Sequence, residues 1–191
     1  MYLSIFNDLF LGIKYNNNQP KDGTIVAKAG LPRAKGRIYV KAEVINPFLE
    51  SAKLVIEQVI QISPSAGSLG IKDVVHIDNH IWIQVGMTGQ LSGNVVFGLQ
   101  EDVALRIVSL MMGGFVITEM DEMGTSAISE LGNMISGNAS TILSNQGFTV
   151  DITPPKVIKS QSSADSVSSK ALFIPLTING VGELDIQVMI S

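Results

Sequence analysis

Cysteine is absent from this chain of 191 residues, so disulfide bonds and thiolate metal sites are excluded, and no feature of the composition points to secretion. Aromatic residues are also scarce, at 6%, although hydrophobic residues make up 46%. A chain of this length can bury a substantial core. The composition therefore predicts a well-packed globular domain whose interior is mainly aliphatic.

Long apolar runs are missing as well. The stretch 103–117 is the most apolar, but Arg106 and Ser109 interrupt it, so no segment is expected to span a bilayer. The N-terminus has no basic region ahead of its apolar residues, and it carries Asp8 where a signal peptide would be uncharged. We therefore expect a cytoplasmic protein.

Charge is distributed unevenly along the chain. Residues 1–41 carry seven Lys and Arg against two acids, a net of +5, whereas residues 42–191 carry six basic and fifteen acidic residues, a net of −9. An acidic body disfavours binding to nucleic acid through the main surface. The basic residues between Lys21 and Arg37 have no aromatic residue among them, so we predict no nucleic-acid partner and treat 1–41 as an N-terminal arm of unknown role.

The remaining residues, 42–191, read as one α+β domain. Asn46-Pro47 is typical of a helix N-terminus, and further helices are predicted over 101–113 and 121–145, the last closed by Gly147. Alternating apolar runs at 71–77, 81–86 and 95–99 predict an antiparallel meander. A hairpin through Asn179-Gly180 joins 170–178 to 183–190, with Pro175 at an edge or bulge. We expect two long helices and a shorter one packed on a largely antiparallel sheet of about six strands.

The most informative segment is 126–139, SAISELGNMISGNA. At helical spacing Ile128, Leu131, Ile135, Ala139 and Ile142 share one face, and the opposite face carries Ser126, Glu130, Asn133 and Gly137. The segment thus predicts an exposed carboxylate and amide one turn apart, with a glycine gap beside them.

A solvated helix face is the bland explanation of this pattern. Against it, Asn is a poor residue inside a helix, and Gly132 and Gly137 each cost about 1 kcal/mol relative to Ala. A helix that keeps both glycines beside an exposed acid–amide pair has given up stability for close approach. The approaching group is either a partner protein or a crossing helix.

These residues resemble the CheC/CheX/FliY family of chemotaxis phosphatases. The resemblance rests first on Ser126-x3-Glu130-x2-Asn133 with the run 134–139, and on Pro154-Pro155 ahead of a Val-Ile strand. It continues in the segment 44–50, in the Gly-rich meander 86–99 and in the helix end at 111–114. It covers about 42–191. In the family's pattern a proline falls one residue after Pro155, where this chain has Lys156. The first helix, which starts at Asn46-Pro47, lacks a second Glu-x-x-Asn, because Glu50 is followed three residues later by Lys53 and Glu57 by Ile60, so the chain is more like CheX than CheC.

The resemblance implies a phosphatase that acts on the aspartyl phosphate of a CheY-like response regulator. Asn133 would orient the attacking water and Glu130 would pair with the regulator's active-site lysine. Ser126 would extend the contact surface, and we infer that Gly137 leaves room for the regulator's loops. No cofactor of its own is expected, because the Mg²⁺ lies in the regulator, and CheX-like proteins are homodimers.

Two further classes stay open. One is a CheX-like module that binds a receiver domain or acts as a scaffold without catalysis. The other is a dimerisation module whose long helix packs on its twin through Gly132 and Gly137.

A metal site at His76, Asp78 and His80 is not expected, because a turn at Asp78-Asn79 would separate these side chains. The methionines near the second and third helices are a protein-docking rim, core residues or a subunit contact: Met111, Met112, Met120, Met123 and Met134.

Overall fold

The computed structural model describes residues 24–26, 39–73, 79–159 and 170–190. The chain divides into two compact units, Met1–Ala42 and Glu43–Ser191. In the first unit strand β1 (Thr24–Val26) pairs antiparallel with strand β2 (Tyr39–Lys41). The second unit holds the helices, the large sheet and every candidate site residue.

The second unit contains three helices and a sheet whose strands come from both sides of the helical segment. In chain order the elements are α1 (Ala42–Ile60), β3 (Ser65–Ala66), β4 (Gly70–Asp73), β5 (His80–Gly89), β6 (Gly93–Gln100), α2 (Glu101–Met111), α3 (Glu122–Asn145), β7 (Val150–Ile152), β8 (Lys156–Lys159), β9 (Lys170–Ile178) and β10 (Gly182–Ile190). Helices α1 and α3 are long and α2 is short, so the α+β class and its helices are confirmed.

The large sheet follows the order β3-β9-β10-β6-β5-β7, while β4 also pairs with β9 and β8 also pairs with β5. All of these pairings are antiparallel. Six strands therefore form the continuous path, as predicted, and the two short strands bring the total in the described residues to eight. The predicted meander is correct for β5 and β6 but wrong for β4, which lies at the far side of the sheet beside β9.

One face of the sheet is the core. Its central strands contribute side chains at most 3% exposed, and neighbouring strands bring them into register, as in Ile83↔Phe97 and Phe97↔Ile186. The inner side chains of β5, β6 and β10 are Ile81, Ile83, Val85, Val95, Phe97, Leu99, Leu184, Ile186 and Val188. Burial of this aliphatic face supplies most of the driving force for the fold.

Helix α1 starts about one turn before the predicted cap at Asn46. Pro47 therefore lies inside the helix, near its N-terminal end, and not at its first position. Pro47 is the sixth residue of the helix, beyond the first four N–H groups that have no partner within it, so it removes one helical hydrogen bond. The predicted cap at Asn46 and the first helical position predicted for Pro47 are therefore wrong.

The hairpin of β9 and β10 turns at Gly180, where φ is +75°. Strand β9 continues through Pro175, whose carbonyl accepts a hydrogen bond from the Gly67 N–H at 2.8 Å. In an extended strand the N and O of one residue point the same way, so the missing N–H of Pro175 faces the gap between β3 and β4. The predicted edge or bulge is wrong, because β9 lies between β10 and the two short strands and its register with β10 is continuous.

None of the helices in the described ranges combines the length and the apolarity needed to cross a bilayer.

Candidate functional site

Helix α3 positions the candidate site, and local sequence signals set both of its ends. The Asp121 carboxylate accepts a hydrogen bond from the Gly124 N–H at 2.8 Å and so caps the N-terminus. At the other end Gly147 adopts φ +91°, and its N–H donates to the Ser144 carbonyl at 3.0 Å. The helix therefore matches the predicted span 121–145 to within one residue.

The apolar stripe of α3 is buried as predicted. Ile128, Leu131, Ile135 and Ala139 are at most 1% exposed. Ile142 is only half-buried, and Leu143 takes its place in the core at the last turn. Because one face is fixed in the core, the opposite face must point to the surface of the described unit.

All four candidate site residues lie on that surface. The side chains of Ser126, Glu130 and Asn133 are exposed, and so is Gly137. The Nδ2 of Asn133 lies 3.5 Å from the Oε2 of Glu130. A separation this long is at most a weak hydrogen bond, so the amide is held near the carboxylate but keeps its donors and its acceptor available.

The charge at this face is a single carboxylate. Beyond its first turn α3 has no charged residue except Glu130, and the positions one turn away are Ser126 and Met134. Within the described residues Glu130 forms no salt bridge, the ion pair found there being Arg106 with Asp102 on α2. An exposed carboxylate without a neighbouring cation is able to accept one from another molecule.

Gly132 has a different role from the one predicted. It is buried, and a Cβ added there would lie 2.5 Å from the Cγ2 of Ile83 on β5. Since Ile83 is fully buried and branched at Cβ, it has no room to move away. Gly132 therefore lets α3 pack closely on the sheet, and it is not available to pack against a second copy of the helix. Its spacing from Ile128 and Ile135 was the sequence signal for this role.

Gly137 and Pro155 complete the surroundings of the site. A Cβ added at Gly137 would meet no atom within 4 Å, so this glycine borders open space. Pro155, in contrast, reaches the buried side of α3, where its Cβ would be 3.7 Å from a Cβ at Gly132. The proline that departs by one residue from the family pattern thus still packs against the helix turn that carries Asn133.

Helix α1 carries the corresponding acid, Glu50, in a different setting. Glu50 is half-buried, and burial raises the pKa of its carboxyl above the ordinary value, while the Lys53 ammonium nearby offsets part of that rise. Lys53 stands three residues after Glu50, where α3 has its amide. This helix therefore presents no acid–amide pair.

Two large apolar side chains interrupt the polar face of α3. Met123 is 58% exposed and Met134 is 37% exposed. These two methionines are therefore accessible to another molecule, whereas Met120 is a core residue.

No metal site was predicted at His76, Asp78 and His80. His76 and Asp78 lie outside the residues that the structure describes. His80 is on β5, and its ring stacks on that of Trp82 with 5.3 Å between the ring centroids. In the portions of the chain that the structure describes, no three His, Asp or Glu side chains come together as a metal-binding group.

The described unit thus combines three helices, an antiparallel sheet and, on the long helix α3, an exposed Glu130 and Asn133. Residues 81–177 match the family described as chemotaxis phosphatase CheX. The chain is 30% identical over 150 residues to the CheY-P phosphatase CheX of Thermotoga maritima, an alignment that covers 78% of this chain and 97% of that protein. This chain belongs to the CheX family.

Solved structures of similar proteins have the same fold. The chemotaxis protein CheX of Desulfovibrio desulfuricans is 26% identical, with a TM-score of 0.65 and coverage of 78% of this chain and 99% of that one. The CheX chain of the CheX–CheY–BeF3–Mg²⁺ complex from Borrelia burgdorferi is 25% identical, with a TM-score of 0.65 and coverage of 77% and 97%.

Proposed function

We propose that this protein accelerates hydrolysis of the aspartyl phosphate of a CheY-like response regulator. The observation that supports the proposal most is the exposure of Asn133 and Glu130 side by side on α3. A buried amide would have no access to a partner's active site. The similarity to a CheY-P phosphatase and to a CheX in complex with CheY supports the same substrate class.

Asn133 acts by positioning a water molecule. The regulator's own pocket supplies Mg²⁺ and a lysine around the acyl phosphate, so the remaining requirement for hydrolysis is a water in line with the phosphorus. A carboxamide can accept one hydrogen bond from that water and donate another. It carries no charge, so the phosphoryl oxygens do not repel it as they would repel a carboxylate.

Glu130 orients the two proteins. Its carboxylate has no cation within reach on its own helix, and it pairs with the regulator's active-site lysine when the partner docks. Ser126 extends this contact toward the N-terminus of α3, and Gly137 leaves space for the regulator's loops. The protein holds no cofactor itself in this mechanism, because the Mg²⁺ is bound by the regulator. The Borrelia complex of CheX and CheY contains Mg²⁺ and BeF3, which is consistent with this assignment.

The proposal also has a cellular setting and an assembly. We place the reaction in the cytoplasm, where phosphorylated CheY-like regulators act, and we propose that the protein works as a homodimer, as the family resemblance implies. The residues 42–191 form the catalytic domain in this proposal, and 1–41 form an arm of unknown role.

The decisive experiment compares the wild-type protein with Asn133→Ala. A receiver domain from the same cell is phosphorylated with a small phosphodonor in the presence of Mg²⁺, and phosphate release is followed over the receiver's own decay. We expect Asn133→Ala to lose at least about a hundredfold in rate, because the water is no longer held in line. Asn145→Ala is the matched control, since Asn145 is an exposed amide at the far end of the same helix.

Three outcomes separate the alternatives. Loss of rate in Asn133→Ala with retained receiver binding supports the proposal. Equal rates for Asn133→Ala and the wild type would exclude the catalytic role of the amide. Binding of the receiver by the wild type without any acceleration of decay would identify a receiver-binding scaffold instead.

A further inference from the structure

The exposed apolar side chains of α3 are not placed at random on its surface. Helical spacing of about 100° per residue puts Met123 and Met134 within about 40° of Glu130 around the axis. Met134 follows Glu130 by one turn, and Met123 precedes it by about two turns. Glu130 therefore lies between two methionines on the same exposed strip of the helix.

Single exposed apolar residues are common on proteins and need no explanation. Here, however, two of the six large apolar side chains that are exposed among the described residues share the strip of Glu130. Both are methionine, whose unbranched and polarizable side chain adapts to an irregular partner surface. The strip has no other charged group that would keep an apolar partner away.

From this arrangement, we propose that Met123 and Met134 are the apolar contacts by which the docked receiver is held around its acyl phosphate. This inference rests on the proposed function and adds the chemistry of the partner's surface. The receiver must present an apolar border beside its lysine and phosphoaspartate, so that Glu130 meets the lysine while the methionines are covered. A receiver with charged side chains along that border would be rejected even though its phosphorylation chemistry is the same.

The dimensions of the strip fit this role. Met123 and Met134 are separated by about 16 Å along the helix axis. A standard interface buries about 800 Å² on each partner, a patch about 30 Å across. A receiver centred on Glu130 and Asn133 therefore covers both methionines. Met134 is then near the middle of the interface, where single side chains contribute most, and Met123 is nearer the rim.

The experiment separates binding from turnover. Met134→Gln and Met123→Gln keep the length of each side chain and its helix preference but remove its apolar character. Dissociation constants are measured with a beryllofluoride-loaded receiver, and KM and kcat with the phosphorylated one. We expect Met134→Gln to raise Kd and KM about tenfold and Met123→Gln about threefold, both with unchanged kcat.

Two controls make the result specific. Met134→Leu, which stays apolar, should retain wild-type affinity. Leu54→Gln removes an equally exposed apolar side chain from α1, where there is no acid–amide pair, and should change neither Kd nor KM.

Each result decides the matter. Unchanged Kd in both methionine variants would overturn this inference while leaving the proposed function in place, provided that Asn133→Ala is inactive. A large loss of affinity in Leu54→Gln would also overturn it, because the apolar contact would then lie elsewhere. Failure of the wild type to bind any receiver from its own cell would overturn the inference and the proposed function together.

Discussion

The two long helices carry similar motifs in different settings. On α1 the half-buried Glu50 is followed three residues later by Lys53, and on α3 the exposed Glu130 is followed by Asn133. The carboxyl of Glu50 already has a cation beside it, whereas that of Glu130 has only an amide 3.5 Å away. The comparison teaches that an acid on a helix becomes a candidate docking group only when it is exposed and unpaired.

The largest expected effect comes from moving the amide between the helices. If the setting matters more than the residue type, Lys53→Asn should not restore phosphate release to Asn133→Ala, and the double variant should stay at least about a hundredfold below the wild type. Phosphate release from a phosphorylated receiver measures this. Recovery of activity in the double variant would contradict the comparison, because it would make α1 a latent second site.

A second prediction uses the two glycines of α3, which differ in packing. Gly132→Ala should lower the free energy of unfolding by about 1–3 kcal/mol, because the new methyl overlaps the buried Ile83. Gly137→Ala, made in open space, should raise it by about 1 kcal/mol through helix propensity. Denaturant unfolding at constant pH compares the two variants.

The variant Gly137→Ala also tests the role proposed for Gly137 in receiver binding. If this glycine leaves room for the receiver's loops, the more stable Gly137→Ala should also bind a beryllofluoride-loaded receiver more weakly. Stabilisation without any change in affinity would show that the open space is not part of the interface.

Most of α3 could be predicted because its signals are local. Asp121, Gly147 and the apolar period together define its ends and its buried face, so the exposure of Ser126, Glu130, Asn133 and Gly137 followed from the sequence. The class of fold and its helices could be predicted for the same reason.

Other features depend on contacts between distant parts of the chain. Alternation marks β4 as a strand but does not say that its partner is β9, about a hundred residues later. The overlap at Gly132 involves a side chain of β5, and neither helix propensity nor exposure could reveal it. The start of α1 was missed because Asn46-Pro47 has the composition of a helix N-terminus, whereas the helix begins four residues before Asn46.

A third prediction reverses the charge of each acid in turn. Glu130→Lys should weaken receiver binding by about ten- to a hundredfold, since it places like charges against the partner's lysine. Glu50→Lys, on the helix without the amide, should leave that affinity unchanged. Binding of a beryllofluoride-loaded receiver at low and at moderate salt measures both, and equal losses in the two variants would argue that only the overall charge matters.

The smallest expected effect concerns the half-buried acid of α1 and its dependence on pH. Burial raises the pKa of Glu50 in the folded protein above its ordinary value of 4.5, so the folded state holds this proton more tightly than the unfolded state does. Stability must then fall as pH rises from about 4.5 through the raised pKa. Glu50→Gln removes the ionisation, and the variant should be more stable than the wild type at neutral pH by less than about 1 kcal/mol, because solvent screens much of the carboxyl. Below pH 4.5 the free energies of unfolding of the two proteins should converge.

Denaturant unfolding between pH 4 and pH 8 measures the difference in this free energy. A gain for Glu50→Gln that is the same at every pH would mean that the side chain acts through packing and not through its charge.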